Sequence, residues 1–423
     1  MASASCPALL ISAMASGQGK TLCTAALARA WRDRGLRVQV FKCGPDFLDP
    51  MVLETASGQP VYNLDLGMCG EIDASRLLHQ AAQTADVILL EGVMGLFDGQ
   101  PSSADIALRF DIPVALTIDA SAMAQTFGAL ASGLLAHNPT LRSAGIIANR
   151  IGSPGHADFL RNSLPAHLPW LGALPQDKSF ALPERHLGLY RASEIADLDA
   201  RIAAAAKALA SSSALPLPPA VTFPSPEAAS TPPLLPGKTI AIARDEAFCF
   251  IYPANLDCLR AMGATLVFFS PLHDQALPAA DAYWLPGGYP ELHMAQISSN
   301  QAMRQALQQA WSQGKPMLAE CGGMMALSES VDGQCGFGLL PGHSRLTPQL
   351  QGIGTQHLPL ATGTISAHTF HHGVFETALP PDRVADTAFG KPEALYRHGS
   401  LRASFLHFYF PSNPQVAAEW LLP

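Results

Sequence analysis

Pro316-Met317-Leu318-Ala319-Glu320-Cys321-Gly322-Gly323 is an apolar run that stops at a thiol followed by two glycines. That is how a strand delivers a nucleophile to a tight turn before a helix. The glycines tolerate strained backbone angles, and the main-chain N–H groups at the turn, that of Gly322 first, can hold the oxyanion of a tetrahedral intermediate. Cys321 would then attack a carbonyl or amide carbon. A buried structural cysteine beside a glycine turn fits the local sequence equally well. A thiol nucleophile needs a base, and His407 stands alone in the apolar run Ser404-Phe405-Leu406-His407-Phe408-Tyr409-Phe410, far enough downstream that only the fold could bring the two together.

A second chemistry is written near the start. Ala13-Met14-Ala15-Ser16-Gly17-Gln18-Gly19-Lys20-Thr21 lies between an apolar strand at Ala8-Leu9-Leu10-Ile11-Ser12 and a helical stretch over residues 21–34. Successive backbone N–H groups from Ser16 to Gly19 can face phosphates, Lys20 reaches the outer phosphates, and the Thr21 hydroxyl is offered to Mg²⁺. Met14 departs from the usual pattern, which has glycine there. Two carboxylate-bearing loops follow buried strands: Cys43-Gly44-Pro45-Asp46-Phe47-Leu48-Asp49-Pro50, and the stretch after Val87-Ile88-Leu89-Leu90, which opens on Glu91 and carries Asp98 in Leu96-Phe97-Asp98-Gly99. An acid at the end of an apolar strand beside a phosphate loop is the place for a Mg²⁺ carboxylate. Asp46, Asp49 and Asp98 each also suit ordinary turns, and it is their convergence on one sheet edge that favours a ligand site. Asn149 ends another strand, where its amide suits a purine edge or a cap.

Strand-like runs alternating with helical segments predict the elements that would carry these residues. The expected fold is α/β: two doubly wound, mostly parallel sheet domains, a P-loop domain over residues 1–210 and a second domain over 238–423. Residues 211–237, dense in proline and serine, read as an extended linker.

With 423 residues, 48% hydrophobic and 14% charged, the chain has material for more than one buried core. A formal charge of −8 without a Lys/Arg cluster argues against a nucleic-acid partner. Eight cysteines without a CxxC pair suit free thiols. No apolar run has membrane-spanning length and no basic leader precedes the first strand, so a cytoplasmic location and no membrane partner are expected. A homodimer is admitted but not specified.

The Cys321 elbow with a late histidine resembles the class I glutamine amidotransferases, in which the thiolate attacks the side-chain amide of L-glutamine and ammonia is released. Many members carry Glu two positions after the histidine, and Tyr409 stands there instead. The resemblance implies that Gly288, in Pro286-Gly287-Gly288-Tyr289-Pro290-Glu291, is the second oxyanion donor beside Gly322.

The whole chain is similar to the cobyrinic and hydrogenobyrinic acid a,c-diamide synthase family. Besides the stretches above, the likeness is carried by Asn149-Arg150-Ile151-Gly152-Ser153, Leu182-Pro183-Glu184-Arg185-His186-Leu187-Gly188-Leu189 and Tyr252-Pro253-Ala254-Asn255-Leu256. It implies an ATP- and glutamine-dependent ligase in cobalamin biosynthesis, which activates corrin carboxylates as acyl phosphates, with a first domain similar to dethiobiotin synthetase. It further implies ATP contacts from Ser16, Gly17, Gln18, Gly19, Lys20, Thr21 and Asn149, Mg²⁺ ligation by Thr21, Asp46 and Glu91, and contact of Asp46, Phe47, Leu48, Asp49 and Asp98 with the acceptor or its intermediate. Ammonia would travel through the protein between the two sites. Ala367-His368-Thr369-Phe370-His371-His372-Gly373 departs from the family's Gly-His-Glu-Phe-His pattern, and a metal site from His368, His371 and His372 is conceivable there. Cobyric acid synthase, a nickel-sirohydrochlorin a,c-diamide synthase and, outside enzymes, a partition-ATPase-like nucleotide switch with a vestigial glutaminase domain are the alternatives.

Overall fold

The computed structural model describes residues 3–185, 188–226 and 231–423. The chain divides into two compact units, residues 1–66 with 70–228 and residues 67–69 with 229–423. His186 and Leu187 of the quoted motif, and residues 227–230 of the proline-rich stretch, lie outside the described residues.

The first unit is built on parallel strands in the order Tyr62–Leu64, Val38–Cys43, Val87–Glu91, Ser3–Ala13, Val114–Asp119, Ser143–Ile151, Trp170–Pro175. Val87–Glu91 is buried at every position, as a strand covered on both faces must be. Its alternate residues divide between two cores: Ile88 and Leu90 pack in one, Val87 and Leu89 in the other. Ser3–Ala13 sits between Val87–Glu91 and Val114–Asp119, so the strand order reverses direction at its carboxyl end, where such sheets bind ligands. The proline-rich stretch departs from its reading as a tether. Ala220–Pro224 pairs antiparallel with Ser3–Pro7, burying Val221 and Phe223 on one face. Proline is tolerated because this short strand lies at an edge, and five residues are too few for the alternation to stand out among the flanking prolines.

The second unit has a seven-stranded sheet in the order Thr265–Phe269, Thr239–Ala243, Ala282–Leu285, Met317–Glu320, Leu401–Ser404, Ala394–His398, Arg383–Val384. The first five are parallel, Ala394–His398 runs antiparallel to Leu401–Ser404, and Arg383–Val384 runs antiparallel to Ala394–His398. An antiparallel hairpin, Gly352–Leu360 with Gly363–His371, adds a smaller sheet that also takes in His407–Phe408. The histidine-bearing stretch 367–373 is mostly strand. The apolar run 404–410 is divided between two sheets: Ser404 closes the large one and His407 joins the small one. Its uniform apolarity hid the break, because both sheets bury it.

Candidate active sites

In the first unit Gly17 and Gly19 take positive φ, 76° and 88°, and Gly19 caps the helix Lys20–Arg32 in the left-handed region. A methyl group on Gly19 would overlap the side-chain amide of Asn149. Met14 adopts no positive φ, so the glycine of the usual pattern is not required there. Lys20 Nζ donates to the carbonyls of Ala15 (3.1 Å) and Met94 (2.5 Å), and burial lowers its pKa to about 8, with Lys42 adding to the effect. Asn149 Nδ2 donates to the Gln18 carbonyl (2.9 Å), while Gln18 Oε1 accepts from Asp119 N (3.0 Å), so both side chains brace the loop.

The acids converge on a lysine to which the sequence reading gave no role. Lys42, at the end of Val38–Cys43, is buried with Nζ 2.5 Å from Asp49 Oδ2 and 2.8 Å from Glu91 Oε1. Burial works to discharge it, but Asp49, Glu91 and Asp46 outweigh that and hold it well above its ordinary range. Glu91 Oε1 also accepts from Thr21 Oγ1 (2.8 Å), and burial lifts both Glu91 and Asp46 to about 7. Asp49 falls below its usual value although burial opposes this, because Lys42 is its neighbour. The signal for Lys42 was a cation near the carboxyl end of a mostly apolar strand, at the ligand edge of the sheet. Asn63, likewise missed, donates from Nδ2 to the carbonyls of Gly44 (2.8 Å) and Asp46 (2.9 Å) and holds the acidic loop. Phe47 precedes the helix Leu48–Ser57, whose Leu48 amide donates to Asp46 Oδ1 (2.9 Å). Asp98 Oδ2 accepts from Gly95 N (2.9 Å), which is turn chemistry.

Among the described residues no group of three or more His, Cys, Asp or Glu is set to hold a metal. Mg²⁺ does not need one: it takes one or two carboxylates, with phosphate oxygens and water completing its shell. Glu91 Oε2 is buried without a hydrogen-bond partner among the described residues, beside the Thr21 hydroxyl, and this hard-oxygen set fits the ion. The histidine reading fares differently. His371 is engaged by Glu393 Oε1 (2.8 Å) and the Gly373 carbonyl (2.9 Å), and its ring stacks on Phe405.

In the second unit Cys321 takes φ 45°, ψ −107°, a strained conformation for a side-chain-bearing residue, between the strand Met317–Glu320 and the helix Gly322–Leu327. Its amide donates to Ser404 O (2.7 Å) on the neighbouring strand. Gly322 and Gly288 are brought together: a methyl group on Gly322 would lie 3.0 Å from the Gly288 nitrogen. The His407 ring lies against Gly287, where any side chain would collide with it. Burial pushes the Cys321 thiol far up, Glu291 adds to that, and the Gly322 amide opposes it. Burial lowers His407 to about 3, with His368 and His371 contributing. Burial thus favours the neutral form of each group. Tyr409, at the place where many amidotransferases carry Glu, is a core residue packed edge-on against Tyr252.

A nucleotide-type phosphate loop on one unit and a strained thiol with paired glycine amides on the other define a two-part class, a nucleotide-binding domain joined to a glutamine amidotransferase domain. Two family models match in that order: "CobQ/CobB/MinD/ParA nucleotide binding domain" over residues 9–189 and "CobB/CobQ-like glutamine amidotransferase domain" over residues 239–415. The chain is 54% identical to a hydrogenobyrinate a,c-diamide synthase of Stutzerimonas stutzeri (strain A1501), covering 100% of both chains. It is also 54% identical to the protein of the same name from Pseudomonas aeruginosa, over 100% of this chain and 99% of that one. With a cobyrinate a,c-diamide synthase of Herminiimonas arsenicoxydans it shares 48% identity over 98% and 96%. The chain belongs to the hydrogenobyrinate and cobyrinate a,c-diamide synthase family.

Proposed function

We propose that this chain is a glutamine-dependent ligase that uses ATP to convert the a and c acetate carboxylates of a corrin ring, hydrogenobyrinate or cobyrinate, to amides. The observation that carries the nitrogen-donor half is Cys321 at φ 45° with Gly322 beside the Gly288 nitrogen. As the sulfur attacks the side-chain amide carbon of glutamine, His407 takes the thiol proton, and the amides of Gly288 and Gly322 face the oxygen that gains charge. His407 returns the proton to the departing nitrogen. Ammonia and an enzyme thioester result, and water cleaves the thioester to glutamate.

In the first unit the acceptor carboxylate attacks the γ-phosphorus of ATP, giving an acyl phosphate and ADP, and ammonia then displaces phosphate. Lys20 and the backbone amides of residues 16–19 hold the phosphates, while Lys42 offers a second cation to the reacting oxygens. Thr21, Glu91 and Asp46 would hold Mg²⁺, which neutralises phosphate charge when bound. Asp49 anchors Lys42, and Asn149 keeps the loop in shape for the nucleotide. Asp98, with Phe47 and Leu48, lines the acceptor's approach.

The test is to give the protein MgATP and glutamine with hydrogenobyrinate or cobyrinate and to count OH-to-NH₂ exchanges by mass spectrometry. Two exchanges on one ring are expected, lost with glutamine in Cys321→Ala and recovered with ammonium. Glutamine hydrolysis without exchange on either ring would refute the corrin acceptor. Hydrogenobyrinate is expected to react faster, since the 54% relatives carry that name.

A further inference from the structure

We propose that Glu320 and Asn255 are positioning residues for glutamine hydrolysis, gripping the main chain just after His407 so that its imidazole stays aligned with Cys321. This rests on Cys321 and His407 being nucleophile and base. The strands Met317–Glu320 and Leu401–Ser404 lie side by side with Glu320 opposite Ser404, and both chains then leave the sheet. Before the histidine, the tie is Cys321 N to Ser404 O. After it, Glu320 Oε1 accepts from Phe408 N (3.0 Å) and its Oε2 accepts from Trp284 Nε1 (3.0 Å). Asn255 holds the same peptide run on the face turned away from the hairpin: its Nδ2 donates to Phe408 O (2.8 Å) and its Oδ1 accepts from Phe410 N (2.8 Å).

The direction of these bonds follows from strand geometry. The hairpin strand Gly363–His371 lies opposite His407–Phe408, and Ser366 O takes the amide of Tyr409. Amides alternate in direction along a strand, so that of Phe408 points away from the hairpin, and Glu320 meets it there. A buried carboxylate costs stability unless its acceptors are filled, and both oxygens of this one are. Burial lifts the Glu320 carboxyl to about 8, against the two N–H donors, which favour the charged form. With Tyr409 packed in the core where many relatives have a triad carboxylate, a grip on the backbone does what a bond to the ring does elsewhere.

The experiment uses the full chain. In Glu320→Gln one amide hydrogen must face an N–H donor, so kcat for glutamine hydrolysis should fall about tenfold or more with KM for glutamine changed less than about twofold. Removing the opposing donor in Glu320→Gln/Trp284→Phe should recover part of kcat, and labelling of Cys321 by a diazoketone analogue of glutamine should slow and recover in step. Should Glu320→Gln melt below the assay temperature, Asn255→Ser, which keeps the carboxylate, carries the same expectation. A folded Glu320→Gln with parental kcat, a change confined to KM, or a double variant no better than the single would overturn the proposal. If the parent protein does not hydrolyse glutamine at all, the reading of Cys321 fails first and takes this one with it.

Discussion

Lys42 carries the charge balance of the ATP-side site, buried between Asp49 and Glu91. Replacing it with Met removes one partner of two buried pairs, which should destabilise the first unit by about 3 kcal/mol in denaturant titration. Amidation with ammonium should fall about a hundredfold in the same variant. In the other unit burial lowers half-buried His368 and buried His407 to about 3 each from an ordinary value of 6.5, which favours their neutral forms. A depressed histidine pKa gives stability that is present above pH 6.5 and is lost as pH falls below it, because the unfolded chain takes up the protons first. The melting temperature of the parent should therefore drop between pH 6.5 and 4, and His368→Asn should flatten that slope; an unchanged slope would contradict the neutral assignment. None of this was legible in the sequence. A lysine or histidine in an apolar run shows its type but not the partner that decides its charge.

At the scale of elements, the phosphate loop and the nucleophile turn were legible because glycine, a charged tip and a flanking apolar run are local features. The strain at Cys321 and the positive φ at Gly17 and Gly19 are what those glycine-rich turns require. Gly19→Ala should abolish ATP-dependent amidation with either nitrogen source, since the methyl group would meet Asn149 at a positive φ. The strand Ala220–Pro224 was not legible, because its partner Ser3–Ala13 is remote in sequence. Phe223 is buried and its carbonyl meets His79 Nδ1 (2.9 Å). Phe223→Ala should cost about 3 kcal/mol, read from the urea midpoint of the first unit.

For the whole molecule, two units with separate cores predict separable losses. Gly19→Ala should stop amidation and Cys321→Ala should stop only the use of glutamine, as read by product mass with glutamine or ammonium. Of the eight free cysteines only Cys335 is exposed, so a bulky thiol reagent should label it first, and Cys335→Ser should leave turnover unchanged. Among the described residues no helix is long and apolar enough to cross a membrane. By itself the sequence determined the α/β class and the division into two sheet-bearing halves, and it singled out Cys321, Lys20 and the acids Asp46, Asp49 and Glu91 as candidates for chemistry. Each of those rests on hydrophobic period, glycine placement or residue type within a short window. Only the tertiary structure decided that Lys42 sits among the acids, that Asn149 braces the phosphate loop, and that the histidine segment crosses from one sheet to another under the grip of Glu320 and Asn255. Those facts depend on which strand lies beside which, and strand neighbours are chosen by burial across the whole fold, which no local window records.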